Sequence, residues 1–268
     1  MSVCQQMKLS RQAYYQTLKR QSRQVMEEEK LVHLVHPIRQ VMPRIGGRKL
    51  HYMIRERLMQ NAIKIGRDRF FRWLRHHDLL VHPKRSYVHT TQSHHRFWTY
   101  DNHTEGLKLN KPNQLWVSDI TYLRTQQGFC YLALITDAYS RKIVGYDVSD
   151  SLELEGCIRA LKQSFQTASD LSQLIHHSDR GIQYCSNRYT QLLKSKGVTI
   201  SMAAKGNCYE NALAERVNGI LKDEFNLDAN FKTKKLAIRA VQESIYIYNH
   251  YRPHWSLNLQ TPQYSHAA

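Results

Sequence analysis

Hydrophobic positions recur at helical spacing through the first third of the chain. Ser10 precedes Arg11–Arg20, where Ala13, Tyr14, Thr17 and Leu18 share a face, so a Ser-capped helix is predicted there. Pro37 and Pro43 interrupt the pattern after the acidic run Glu27–Glu29. Gly46 and Gly47 precede a second helix, Arg48 to Met59, with Leu50, Met53, Ile54 and Leu58 inward. A turn over Asn61–Gly66 leads to a third, Arg67 to His76, which buries Phe70, Phe71 and Leu74 and displays Arg67, Arg69, Arg72 and Arg75. This pattern fits a helix-turn-helix and equally a basic helical bundle with a solvated face. From 82 to 112 the chain is polar, rich in His, Thr and Asn, and reads as a linker.

The period then changes. Leu115–Arg124, Phe129–Asp137 and Lys142–Val148 are strand-like runs joined by short turns, which predicts three antiparallel strands. Helix, strand, helix, strand and helix follow at Glu153–Ala168, Leu174–Ser178, Asn187–Lys196, Thr199–Met202 and Asn211–Phe225. That order builds an α/β fold, a mixed sheet with helices packed on it. A helix through Tyr248 and an aromatic, Pro-broken tail close the chain. The expected division is 1–81 as a basic helical region, 82–112 as linker, 113–228 as the sheet domain and 229–268 as C-terminal helix and tail.

Charge makes this division functional. The 268 residues carry 39 Lys and Arg against 22 Asp and Glu, a net +17, which points to a polyanionic partner. Residues 1–113 hold 22 basic and 8 acidic side chains (+14) and residues 114–268 hold 17 and 14 (+3), so the charge belongs to the helical end. No apolar run approaches the roughly 18–20 residues of a membrane span, and no signal peptide opens the chain, so a soluble, cytoplasmic protein is expected. Cys4, Cys130, Cys157, Cys185 and Cys208 lack any C-x-x-C spacing and read as free thiols. Of the 15 His, His76–His77, His94–His95 and His176–His177 are adjacent pairs unsuited to one ion, the rest lack partners at ligand spacing, and no phosphate-binding loop is present.

Three carboxylates stand where a sheet would hide rather than solvate them. Asp119 lies mid-strand in Trp116-Val117-Ser118-Asp119-Ile120-Thr121-Tyr122, and Asp179 ends the strand before Arg180-Gly181. Glu215 shares one helix face with Asn211, Asn218 and Lys222, while Leu213, Val217, Ile220 and Leu221 point to the core. Taken singly, each could be a salt bridge or a cap, Asp179 with Arg180 for example. Brought together they repel, and a divalent cation resolves the conflict; oxygen-only ligands suit Mg²⁺ or Mn²⁺. Two such ions roughly 3.5–4 Å apart support phosphodiester transfer. The 16 Tyr offer no marked nucleophile, and Asp137 reads as a turn residue.

The joint spacing carries a resemblance. Between Asp179 and Glu215 lie 35 residues, and Asp, Asp, 35 residues, Glu resembles the signature of the DDE transposases and retroviral integrases. Three further stretches narrow it: His177-Ser178-Asp179-Arg180-Gly181-Ile182-Gln183-Tyr184, Lys205-Gly206-Asn207-Cys208-Tyr209-Glu210-Asn211-Ala212, and Tyr248-Asn249-His250-Tyr251-Arg252-Pro253-His254-Trp255 with Thr261-Pro262. Together they are similar to the OrfB-type product of the IS-three family of bacterial insertion-sequence transposases, densely over Asn113–Pro262 and more loosely before it.

The resemblance implies an RNase H-like fold behind a helix-turn-helix region, and DNA strand cleavage and transfer at element ends with two Mg²⁺, Mn²⁺ serving as substitute. It implies Asp119, Asp179 and Glu215 as catalytic metal ligands, and Lys222 gripping DNA near the cut. Expected DNA contacts also include Arg67, Arg69, Arg72, Arg75 and Asn211. Glu210 departs from the family's usual Asp, and Asn207 and Asn211 either hold their loop or touch DNA. Implied partners are terminal inverted repeats, target DNA, further copies of the chain and an upstream OrfA-type product, in a nucleoid-associated bacterial protein. A catalytically inactive DNA-binding regulator and a structure-selective nuclease on the same fold are the alternatives.

Overall fold

A computed structural model describes residues 10–82, 97–168, 170–204 and 211–268. The chain divides into two units, Met1–His82 and Pro83–Ala268.

In the first unit the Ser10 hydroxyl caps α1 as expected, accepting from the Ala13 N–H at 3.0 Å. The helix runs Arg11–Val41, 31 residues, far beyond the predicted Arg20 and through Pro37. Residues 21–30 are mostly Gln, Arg, Met, Glu and Lys, good helix formers without an apolar stripe. Arg23 with Glu27 and Gln24 with Glu28 bond one turn apart, at 3.2 and 3.0 Å. The single helix expected over 48–59 is two, α2 Gly47–Met53 and α3 Arg55–Gln60, broken at the fully buried Ile54. α4 spans Arg67–His76 and buries Phe70, Trp73 and Leu74; Trp73 takes the place expected of Phe71, which is half-buried. Arg67, Arg69, Arg72 and Arg75 are all exposed. The connection between α3 and α4, residues 61–66, exceeds the roughly 3–4-residue turn usual in a helix-turn-helix.

In the second unit five strands form one mixed sheet in the order β3-β2-β1-β4-β5. β1 (Leu115–Thr125), β2 (Gly128–Asp137) and β3 (Ile143–Ser149) make the antiparallel meander, and β4 (Ile175–Ser178) and β5 (Thr199–Met202) add parallel to β1. Strand alternation sorts the side chains to two faces. Trp116, Ala133 and Ile135 pack with Ile158 and Leu161 of α5 (Leu154–Thr167), Tyr184 of α6 (Ile182–Cys185) and Tyr189 and Leu193 of α7 (Asn187–Ser195). Leu115, Val117 and Ile175 pack on the other face, against Ala214 of α8 (Ala212–Glu224). The chain closes through α9 (Lys234–His250), a 3₁₀ turn at Trp255–Leu257 and α10 (Pro262–Ala267). α10 was not predicted; Thr261 caps it and Pro262 occupies its first turn.

Residues 97–112, within the stretch predicted to be a linker, carry no helix or strand but lie against the sheet. The Asp101 carbonyl accepts from the Met202 N–H at 3.3 Å, Ser201 Oγ accepts from the His103 N–H at 2.9 Å, and Tyr100 and Leu109 pack on the two faces. Residues 83–96 lie outside the described residues, as do Cys4 and Cys208. Cys130, Cys157 and Cys185 are free and buried, and among the described residues no helix is long and apolar enough to cross a membrane.

One close approach fixes how α5 sits on the sheet. A Cβ at Gly145 would collide with the Ala160 carbonyl oxygen and lie 2.9 Å from Ser164 Cβ. Gly145→Ala is therefore expected to lower stability by about 1–3 kcal/mol, measured by urea unfolding.

Candidate active site

Register places the two aspartates. Leu115 pairs with Ile175 and Ser118 with Ser178 in parallel, so Asp119, still within β1, and Asp179, the first residue past β4, each follow the last paired position of neighbouring strands. Leu115, Val117 and Ile175 face α8, and alternation carries Asp119 and Asp179 to that face. Below them the sheet is tied by buried polar contacts. His176 Nε2 lies 2.7 Å from Ser118 Oγ and 3.0 Å from Tyr189 OH, and burial, with His177 adding to it, pushes the His176 pKa down to about 3. The imidazole is neutral and serves as a strut between β1, β4 and α7.

Backbone N–H groups aim both carboxylates. Asp119 Oδ1 accepts from the Ile120 N–H and Asp179 Oδ1 from the Gly181 N–H, each at 2.9 Å. A Cβ at Gly181 would stand 2.9 Å from that same Asp179 oxygen, which explains the glycine.

α8 supplies the third carboxylate. Asn211, at its N-terminus, donates to the Ser118 carbonyl at 3.2 Å, and Asn218 donates to Asp119 Oδ2 at 2.8 Å. Glu215 lies between these two anchors on the same face, one turn from each, and is exposed. Val217, Ile220 and Leu221 are buried as expected, while Leu213 is half-buried. Lys222 continues the stripe: its Nζ lies 5.7 Å from the Tyr122 ring centroid. Burial pulls the Lys222 pKa down, against the opposing pull of Asp119 and Asp228.

Asp119 feels the other two acids. Burial first, and the neighbouring Asp179 next, push Asp119 up to about 7, with Glu215 adding to the rise and the hydrogen bonds from Asn218 and Ile120 opposing it. Burial and like charge both disfavour the ionised form of Asp119, and a cation bound beside it would favour that form again. The donor set is oxygen-only, which suits a hard divalent cation. Among the described residues no three His, Cys, Asp or Glu groups are drawn close enough to hold an ion as they stand.

Asp137 is separate from this cluster. Burial alone would raise its pKa, but hydrogen bonds from His266, Ser140 and the Asn113 N–H outweigh it and hold the carboxylate low. It organises the β2–β3 turn, accepting from Ser140 N–H and Oγ at 2.7 Å each. Asn211 is buried on β1. Asn207 and Glu210 lie outside the described residues.

Two features were not singled out from sequence. Asn218 was read only as a face-mate of Glu215, and the structure makes it the residue that holds Asp119. Arg252, quoted only within a motif, is 1% exposed and forks onto Glu224, the last residue of α8, at 2.8 and 2.7 Å. Its place in an aromatic, Pro-containing tail was the available signal.

Residues 110–208 and 196–262 each match the family described as "Integrase core domain". A 31 kDa protein of insertion element IS600 from Shigella sonnei is 34% identical over 264 residues, covering 97% of this chain and 96% of that protein. The transposase InsF for insertion sequence IS3A of Escherichia coli K12 is 37% identical over 155 residues, 57% of this chain and 54% of that one. The chain belongs to the IS-three family of insertion-sequence transposases. The simian T-cell lymphotropic virus intasome contains a chain that superposes on this transposase with a TM-score of 0.51 at 17% identity, over 83% of this chain and 75% of that one. The shared element is the fold: the five-stranded mixed sheet with flanking helices is RNase H-like.

Proposed function

We propose that this transposase cleaves one DNA strand at each end of its insertion element and joins the 3′-hydroxyl to new DNA, with Asp119, Asp179 and Glu215 as its catalytic carboxylates. The observation that carries the reading is that Asp119 and Asp179 each follow the last paired position, Ser118 with Ser178, of two parallel strands, and that α8, whose Asn218 bonds Asp119, bears Glu215 on the same face. Two divalent ions, Mg²⁺ or Mn²⁺, held by these oxygens would supply the charge that makes an attacking oxygen nucleophilic and steadies the leaving one.

The chain's own groups do the remaining work. The Ile120 and Gly181 N–H groups and Asn218 hold the two aspartates in orientation, which lowers the reorganisation needed when charge develops. Lys222 stands beside Asp119 and is aimed at a phosphate next to the reacting one. The exposed Arg67, Arg69, Arg72 and Arg75 of α4 give the first unit a phosphate-binding face, read here as the helix-turn-helix that engages the terminal repeats. Joining two ends calls for more than one copy of the chain, and an upstream OrfA-type product is the further partner, both acting on DNA in the bacterial cytoplasm at the nucleoid.

Purified protein, element-end duplex and Mg²⁺ test this directly. Asp119→Asn, Asp179→Asn and Glu215→Gln are each expected to lower strand transfer by about 10²–10³-fold or more. Unchanged transfer in all three would remove the assignment. Cleavage that is indifferent to element ends would replace it with a structure-selective nuclease, and DNA binding without transfer by the wild-type chain would replace it with a regulator.

A further inference from the structure

Beyond Ser118 the sheet changes character. β4 no longer flanks β1, and the α8–α9 connection takes its place at the far end: Phe231 accepts from the Gln126 N–H and donates to the Arg124 carbonyl, both at 2.9 Å. On the face opposite Asp119, the β1–β2 hairpin is bare. Tyr122 pairs across the strands with Tyr131, and Arg124 with Phe129. Tyr122 is 38% exposed and Phe129 53%, although the same strands bury Leu123 and Cys130 completely on the other face. The rings form one platform, Tyr122 edge-on to Phe129 at 6.4 Å and to Tyr131 at 6.0 Å between centroids.

This surface carries positive charge. Arg124 is exposed on it, and Lys222 reaches the Tyr122 ring from α8. Lys222 also feels the charges of Asp119 and Arg124, so one side chain that touches the platform lies within electrostatic reach of Asp119. Asp228 is the acidic group that faces Lys222 here. Exposed aromatic rings beside cations, one of which, Lys222, also feels the charge of Asp119, match the needs of an unpaired nucleotide: a π-face for the base and a cation for its phosphate.

We propose that Tyr122 and Phe129 stack an unpaired base of the DNA end whose phosphodiester lies at Asp119, with Arg124 and Lys222 neutralising the phosphates between. This rests on the transposase reading above and adds a requirement to it: the strand end must be frayed to be gripped.

The test uses the full chain in metal-free buffer and an element-end duplex with a short single-stranded overhang carrying 2-aminopurine. Wild type is expected to quench the fluorescent base. Tyr122→Ala should abolish quenching and weaken binding of the overhang duplex about tenfold, with a blunt duplex changed less than about twofold. Tyr122→Phe should retain both, since it keeps the ring. Phe129→Ala, at a more exposed position, gives a second reading that is insensitive to misfolding, and a melting curve accompanies each variant.

Quenching that persists in folded Tyr122→Ala and Phe129→Ala, or an equal loss of binding on blunt and overhung DNA, would overturn the proposal. Its failure is separable from that of the enzyme assignment. Strand transfer that depends on the carboxylates without any quenching removes the platform alone. Quenching that survives in Asp119→Asn, and in a wild type that transfers no strands, leaves the platform standing and removes the enzyme assignment.

Discussion

Asp119→Asn is expected to make the metal-free transposase more stable at pH 8 while erasing its response to magnesium. Burial and the neighbouring acids raise Asp119 from 3.8 to about 7, so the folded state holds this proton more tightly than the unfolded chain. Below pH 3.8 both states are protonated and there is no penalty. Between 3.8 and 7 stability falls as pH rises, and above 7 the full penalty is present. At about 1.4 kcal/mol per pH unit the interval amounts to roughly 4 kcal/mol at most. Asparagine keeps the shape and removes the charge, so the unfolding transition of the sheet unit should rise by several degrees, at about 2–4 °C per kcal/mol. In wild type, millimolar Mg²⁺ should produce a comparable rise at pH 8. Because proton and cation compete for one carboxylate, its apparent affinity should weaken by about tenfold per pH unit below 7. Differential scanning fluorimetry across pH 5–9, with and without Mg²⁺, reads both. A magnesium-induced rise of equal size in Asp119→Asn would show that the ion binds elsewhere.

That result also explains why the site was legible at all. Asp119 sits in a run of Trp, Val, Ile and Tyr, and Asp179 follows the short strand Ile175–Ser178, so each stood out as a charge the fold must compensate. Periodicity named the face-mates of Glu215, because a helix of known start has fixed neighbours at three, four and seven residues. It could not name their partners. Asn218 reaches Asp119 across 99 residues of sequence, and only the packing of α8 on β1 brings them together. Fold and site therefore fail at different points: strand and helix signals are local, whereas hydrogen bonds between elements follow from topology.

The remaining errors have the same origin. α1 outran its prediction because residues 21–30 have no apolar stripe, and hydrophobic periodicity is silent about a stretch of helix that buries nothing. Residues 97–112 looked like a linker because their attachments are backbone groups, the Asp101 carbonyl and the His103 N–H, which composition does not display. α2 and α3 were merged because Leu50, Ile54 and Leu58 keep helical spacing through the break.

Arg252→Ala should damage the fold and the chemistry together. Nε and Nη2 of Arg252 bond the two oxygens of Glu224 at 2.8 and 2.7 Å, Nη1 lies 2.7 Å from His254 Nε2, and the guanidinium carbon sits 5.7 Å from the Tyr248 ring centroid. Arg252 is 1% exposed and the Glu224 side chain 13%, so truncating the arginine strands a shielded carboxylate at the end of α8. Breaking such a pair from one side lowers stability by about 3–5 kcal/mol. Lysine cannot rescue it, because a single ammonium offers neither the fork nor the stacking plane. The C-terminal segment is also clamped to the sheet: Asn249 exchanges two hydrogen bonds of 3.0 Å with the Ile143 backbone, and the Tyr248 hydroxyl donates to the Arg141 carbonyl at 3.0 Å. Arg252 thus links α8, and with it Glu215 and Asn218, to β3 through a segment far from the carboxylates in sequence. Replacing both partners, Arg252→Met with Glu224→Leu, should restore much of the stability lost in Arg252→Ala, since an apolar pair leaves no charge uncompensated. Urea unfolding of the single and double variants measures the coupling. If Arg252→Ala alone unfolds at the wild-type midpoint, the pair contributes nothing and α8 is held by its apolar face and its asparagine contacts to β1.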